Sequence, residues 1–292
     1  MKKALVLLTA LSGVLLVAPV AGAQQCEDPK VLKFSLVPTQ DSLRELSYYK
    51  PVLDLLSQNT GKKIEFYMPT SYASVIEALL GKWVDVAVLG PESYILARDK
   101  DKTLEVFATY SRRKDGIQEP GPGYKSVLIT KKGSTYASVD ALKGSVLALV
   151  DPASTSGALI PEHVFSKQIG MPLKQYFARV VFSGGHDLSS IAVSEGKADA
   201  AFVATHRFME TVRAGKIKAE EFNFLWYSPL LPQDPFVYRG ILCDPLKQKI
   251  AQTFLTVDQT PDGKKYLENV TSDRIVKMVD GDYDIVRSVV SR

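Results

Sequence analysis

Apolar positions follow two different periods along this chain. Val146-Leu147-Ala148-Leu149-Val150 is a short continuous apolar run, the pattern of a buried strand. Ala158 to Ile169 then places Leu159, Ile160, Val164, Phe165 and Ile169 close to helical spacing. Between them, Asp151-Pro152-Ala153-Ser154-Thr155-Ser156-Gly157 puts hydroxyls and a glycine where a strand hands over to a helix. The first turn of a helix has unpaired backbone N–H groups and the positive end of the macrodipole. Hydroxyl donors and a glycine that admits close approach make this stretch a candidate oxyanion cradle. An ordinary N-cap is the competing reading. Pro161 would clash with the Gly157 carbonyl in a regular helix, so an irregular first turn is expected, or a regular helix that begins near Pro161.

The same alternation of strand and helix runs the length of the chain. Strands are predicted at Leu32 to Leu36, Ile64 to Tyr67, Val86 to Leu89, Leu104 to Tyr110, Tyr124 to Thr130, Arg179 to Phe182, Ala200 to Val203 and Phe236 to Leu242. Helices are predicted at Leu43 to Gln58, Tyr72 to Leu80, Ser138 to Lys143, Leu188 to Val193, Phe208 to Arg213, Asp244 to Leu255 and Pro261 to Asn269, with a last short one after Tyr283. One unit occurs twice. A polar cap, a short amphipathic helix, a Gly-Lys turn, an Asp and an apolar strand run through Thr70 to Leu89, and again through Gly184 to Val203. The echo suggests two similar α/β lobes, each offering strand C-termini and helix N-termini, where ligands bind in open α/β sheets. Asp85 and Asp199 are read as residues that fix the turns.

Residues 1–23 read as a cleaved export signal. Lys2 and Lys3 precede a mainly apolar stretch, and Ala21-Gly22-Ala23 is a small-x-small cleavage site. The mature chain is expected to be soluble and periplasmic. A lipid-modified Cys26 is disfavoured because Gln25, not a small residue, precedes it. Formal charge is +4, including the two leader lysines, which gives no case for nucleic acid or an anionic membrane. The length favours two domains. Cys26 and Cys243 are the only cysteines, and export makes a disulfide between them the preferred state over two free thiols. With three histidines and no further cysteine, neither a zinc site nor a cofactor is expected. If the cysteines pair, the chain ends belong together. Residues 24–112 and 234–292 then form lobe 1, and 113–233 form an inserted lobe 2 joined by two crossings over a hinged cleft.

These residues carry a family resemblance. Tyr72 to Leu79, Gly81 to Ala87, Gly90-Pro91-Glu92-Ser93-Tyr94, Val150 to Gly157, Gly185-His186-Asp187 and Gly196 to Ala201 are similar to the solute-binding proteins of bacterial phosphate, phosphite and phosphonate ABC importers. These are a branch of the type 2 periplasmic binding proteins, and the likeness covers nearly the whole mature chain. It implies an α/β, two-lobed architecture and a phosphorus oxyanion held by Ser154, Thr155 and Ser156. Tyr72 would reach it from the facing lobe, with His186 as a further donor and Tyr94 lining the cleft. Thr39, Ser93, Glu92, Asp187 and His206 are further candidates. Relatives that take aminoalkyl phosphonates carry acids after the strand equivalent to Ala200 to Val203, where this chain has Ala204-Thr205-His206-Arg207. An amine-bearing ligand is therefore not expected unless Glu92 or Asp187 substitutes, and His206 favours a more anionic solute. The implied partners are a small anion and an inner-membrane permease, with a monomeric protein and no nucleic acid. A receptor histidine kinase in place of the permease, or a sulfonate or carboxylate ligand, are the alternatives. Catalysis is not expected: Ser154 or Ser156 with His186 and Asp187 lacks the G-x-S-x-G elbow, and adjacent His and Asp do not form a relay.

Overall fold

A computed structural model describes residues 26–38 and 42–290. The proposed leader and Thr39 lie outside the described residues. Two mixed sheets organise the chain. The first runs in the order Ser272–Lys277, Glu105–Arg112, Pro235–Tyr238, Val86–Val88, Val31–Leu36, Lys63–Phe66. The second runs Phe222–Tyr227, Ser126–Lys131, Ala200–Ala204, Val146–Leu149, Arg179–Phe182. Each has a parallel trio at one side, Lys63–Phe66/Val31–Leu36/Val86–Val88 and Arg179–Phe182/Val146–Leu149/Ala200–Ala204. In each, a strand from later or earlier in the chain returns antiparallel beside the trio. Val86–Val88 and Ala200–Ala204 thus hold the same place in the two lobes.

The repeated unit explains that equivalence chemically. Asp85 pairs with the edge of Val31–Leu36: its N–H donates to Lys33 O at 2.8 Å and its Oδ2 accepts from Lys33 N at 2.9 Å. Asp199 does the same to Val146, at 3.0 and 2.8 Å. Both aspartates therefore lock the entering strand to its parallel neighbour, beyond fixing a turn. Asp85 also bears the buried guanidinium of Arg239, at 2.6 Å. The left-handed residue that ends each helix is Lys82 (φ 63°) in the first unit and Gly196 (φ 73°) in the second. The Gly-Lys pairs are therefore one residue out of structural register, and the aspartates are the true equivalents.

The chain leaves the first sheet after Arg112 and rejoins it at Pro235. The two crossings lie side by side: Gly123–Tyr124 pairs antiparallel with Leu231–Pro232, and Thr109 Oγ1 donates to Asp234 O at 2.7 Å. Cys26 and Cys243 form a disulfide, flanked by Glu27 N–H to Ile241 O at 2.8 Å and Cys243 N–H to Glu27 O at 2.9 Å. The N-terminus is thereby tied to the segment that follows Pro235–Tyr238 in the first sheet. Two edge strands, Phe222–Tyr227 and Ser272–Lys277, escape the hydrophobic pattern because each carries a register shift that breaks the two-residue period. The helix predicted over Ser138 to Lys143 is only a 3₁₀ turn at Asp140–Leu142. Among the described residues, no helix is long and apolar enough to cross a membrane.

Candidate functional site

The segment after Pro152 is helical but not α-helical. Thr155–Leu159 and Pro161–Phe165 are successive π turns, followed by Ser166–Gln168. The wider turn answers the Pro161 problem, since it does not ask Pro161 for an N–H, and the Gly157 carbonyl also accepts from Val150 N–H at 3.0 Å. Ser154 is the N-cap, its Oγ accepting from Gly157 N–H at 3.1 Å. A β-carbon on Gly157 would lie 2.3 Å from Val150 Cγ2. The glycine is thus required for packing against the strand. This corrects the expected role, close approach of an anion to its backbone, since its N–H is already taken.

The donors left over belong to the next residues. Neither Thr155 N–H nor Ser156 N–H meets an acceptor among the described residues. Ser154 Oγ spends a lone pair on Gly157 N–H, and Thr155 Oγ1 spends one on Glu92 N–H of the other lobe at 2.8 Å. Each hydroxyl is fixed as an acceptor from one side, which leaves its proton to donate. These groups open on a small pocket lined also by Tyr72, Tyr124, His186, His206, Arg207 and Asp234. Tyr72 starts a helix whose capping box joins Ser71 and Ser74. Burial raises its phenol, and that of Tyr124, well above the ordinary range, so both remain protonated donors.

His186 sits at the start of His186–Ser194, after Gly184 (φ 90°) turns the chain. Its Nδ1 accepts from Ala204 N–H at 3.1 Å, so in the neutral ring Nε2 carries the proton. Burial, with Arg207 and His206 nearby, pushes its pKa down to about 3. Its unfolded value is near 6.5. The unfolded chain therefore binds the extra proton first, so stability is full above about pH 6.5 and is lost as pH falls toward 3. A His186→Asn protein, which keeps an acceptor for Ala204 N–H, is expected to unfold at lower pH than the parent in circular dichroism across pH 3–7.

Charge in the pocket comes from Asp234 and Arg207. Burial opposes ionisation of Asp234, but contact with His206 and the charges of Arg207 and Arg112 prevail and bring its pKa to about 2. Arg207 NH2 is 3.4 Å from Asp234 Oδ2, and its NH1 reaches Glu210 at 3.0 Å and, across the cleft, Glu45 at 3.1 Å. His206 lies 3.6 Å from Asp234 and edge-on to Tyr124; burial first, then Arg112, keep its pKa low.

A family model described as the periplasmic substrate-binding protein of phosphonate ABC transporters matches residues 34–283. The chain belongs to that family. The phosphonates-binding periplasmic protein of Escherichia coli is 30% identical over 248 residues, 84% of this chain and 71% of that protein. The phosphate-import protein PhnD of Mycolicibacterium smegmatis is 27% identical over 282 residues, 89% of this chain and 85% of that one. A crystal structure of a binding-protein component of an ABC phosphonate transporter from Pseudomonas aeruginosa superposes with a TM-score of 0.80 at 27% identity. It covers 90% of this chain and 86% of its own. The two-lobed architecture is that of these phosphonate-family binding proteins.

Within this phosphonate-family binding protein, Ser154, Thr155, Ser156, Tyr72, His186 and His206 line one pocket. Other candidates are spent elsewhere. Tyr94 is buried away from the pocket, its hydroxyl donating to Asp280 at 2.6 Å and its ring packed edge-on to Tyr283. Ser93 Oγ donates to Ala153 O at 2.8 Å, a contact between lobes. Glu92 contributes its backbone N–H to Thr155, and its buried carboxyl lines neither cavity. Asp187 faces a larger adjoining chamber, 3.9 Å from Lys216. Sequence reasoning missed Tyr124, Arg207 and Asp234. It placed no acid after Ala200–Ala204, yet Asp234, from the second crossing, lies beside His206 there. The signal available was position: Tyr124 and Asp234 each lie at the end of a crossing between lobes.

Proposed function

We propose that this chain is an exported binding protein that captures a small phosphorus oxyanion and delivers it to an ABC permease. Lobe 1 comprises residues 24–112 and 234–292 and lobe 2 residues 113–233, and the leader, residues 1–23, is removed on export. The observation that carries the reading is the convergence of donors on one pocket: the Thr155 and Ser156 N–H groups, the Ser154 and Thr155 hydroxyls, which also lie within hydrogen-bond reach of the Tyr72 and Tyr124 phenols, and His186 Nε2–H. Closure replaces the anion's hydration shell with these fixed dipoles, and the interlobe contacts of Thr155 with Glu92 and Arg207 with Glu45 belong to the closed form. Binding in this family is capture without turnover, and no step of bond cleavage is assigned to these residues.

Asp234 makes the pocket selective. An ionised carboxylate repels a fully ionised oxyanion but accepts a hydrogen bond from a P–OH. A phosphorus acid keeps that proton below its second ionisation, near 6 for a phosphate monoester, and an ionised carboxylate beside it raises that ionisation in the pocket. A sulfonate has no such proton. Calorimetric titration with phosphate, phosphite, methylphosphonate and methanesulfonate tests the reading: at least one phosphorus anion binds and methanesulfonate does not. Affinity falls as pH rises through the ligand's second ionisation, and Asp234→Asn flattens that fall and admits methanesulfonate. Failure of every phosphorus anion to bind, or preference for the sulfonate by the parent protein, overturns it.

A further inference from the structure

The oxyanion pocket is the inner end of a larger space. A second, more open chamber adjoins it, and Val37, Tyr72, His186 and Arg207 line both. A phosphonate seated on Ser154 to Ser156 would send its substituent past Arg207 toward this chamber, where a methyl group would meet none of its charged side chains. The polar groups there are unevenly satisfied. Glu45 and Glu210 are engaged by Arg207, at 3.1 and 3.0 Å, Glu210 also by Arg112 at 3.2 Å, and Asp187 faces Lys216. An ammonium arriving here would have to take a carboxylate from a partner it already has.

Arg112 differs. It is 3% exposed and lines the chamber, and although NH1 reaches Val270 O at 2.6 Å and Glu210 at 3.2 Å, its Nε–H has no acceptor among the described residues. A buried donor without an acceptor carries a desolvation cost that a ligand acceptor removes. Arg44 and Arg213 line the same chamber. Arg213 pairs outward with Asp115, yet burial and the charges of Arg112 and Arg44 bring its pKa down to about 10, which marks local crowding of positive charge.

We propose that the preferred solute is a phosphonate with a short arm ending in a carboxylate, the phosphorus group on the inner cradle and the carboxylate at Arg112 in the outer chamber. The inference rests on the oxyanion reading of the inner pocket. The test uses three ligands of one form, phosphonate–CH₂–CH₂–X, in which X is a carboxylate, a methyl group or an ammonium (3-phosphonopropionate, propylphosphonate and 2-aminoethylphosphonate), with methylphosphonate as reference. Calorimetry on the mature protein is expected to give at least tenfold tighter binding for carboxylate than for methyl, and the weakest binding for ammonium. Arg112→Lys, and separately the Arg44→Gln/Arg213→Gln double variant, reduce the carboxylate advantage severalfold while methylphosphonate binding stays at the parent value, which also reports that each variant is folded. Equal affinity for carboxylate and methyl, or tighter binding of the ammonium, overturns the inference and leaves the inner-pocket reading standing. Loss of all four ligands, methylphosphonate included, removes the inner-pocket reading and this inference with it.

Discussion

A Ser154→Ala/Thr155→Val protein is expected to bind its anion roughly a hundredfold to ten-thousandfold more weakly than the parent. Each lost hydrogen bond to a charged group is worth about 1.5–3 kcal/mol, so two amount to about 3–6 kcal/mol. The two hydroxyls are pre-set donors, each held as an acceptor by a backbone N–H, one within the cradle and one from the opposite lobe. Part of the loss therefore falls on closure, because a valine in place of Thr155 would leave Glu92 N–H without its acceptor. Thr155→Ser separates the two effects: it keeps the hydroxyl and is expected to stay within a few-fold of the parent. Loss of the Ser154 cap costs about 1 kcal/mol of stability, and roughly 2–4 °C in Tm, so the double variant remains folded at assay temperature. Calorimetric titration alongside thermal melts decides the matter. Parent-like affinity in a folded double variant would remove the cradle from the binding site.

Replacing both cysteines is expected to lower Tm by on the order of 10 °C and to leave anion affinity unchanged. The bridge joins residues 217 apart in sequence, so it restricts the unfolded chain strongly; removing such a bridge from a native protein costs about 2–5 kcal/mol. Neither cysteine lines either cavity. The Cys26→Ser/Cys243→Ser protein should melt at the temperature of the parent after reduction. A melting point equal to that of the oxidised parent would mean that the Glu27 hydrogen bonds to Ile241 and Cys243 hold the terminus without help.

The repeated unit shows how far local sequence carries. Its aspartates were visible as a pattern because both lobes need the same contact, a side chain that takes the N–H of a neighbouring parallel strand. The left-handed turn residue was misaligned because Lys82 adopts a conformation that glycine usually supplies. The hydroxyl run after Pro152 stood out through composition and through its place between an apolar strand and a helical pattern. Its π turns followed from a conflict legible in the residues, Pro161 set four positions after Gly157.

Periodicity, the hydroxyl run at the start of a helical segment, the echoed lobes and the two lone cysteines were all readable along the chain, because each arises from contacts among near neighbours or from a count. The acidic and cationic half of the site was not. Asp234 meets His206 and Arg207, and Arg207 meets Glu45, only because two crossings fold one lobe against the other. Tyr94 and Glu92, promising by position, were turned to structural contacts by the packing of the C-terminal segment and the facing lobe. Local pattern reports what a segment prefers to become. Which charges share a buried pocket depends on distances between segments far apart in the chain, and only the packed lobes set those.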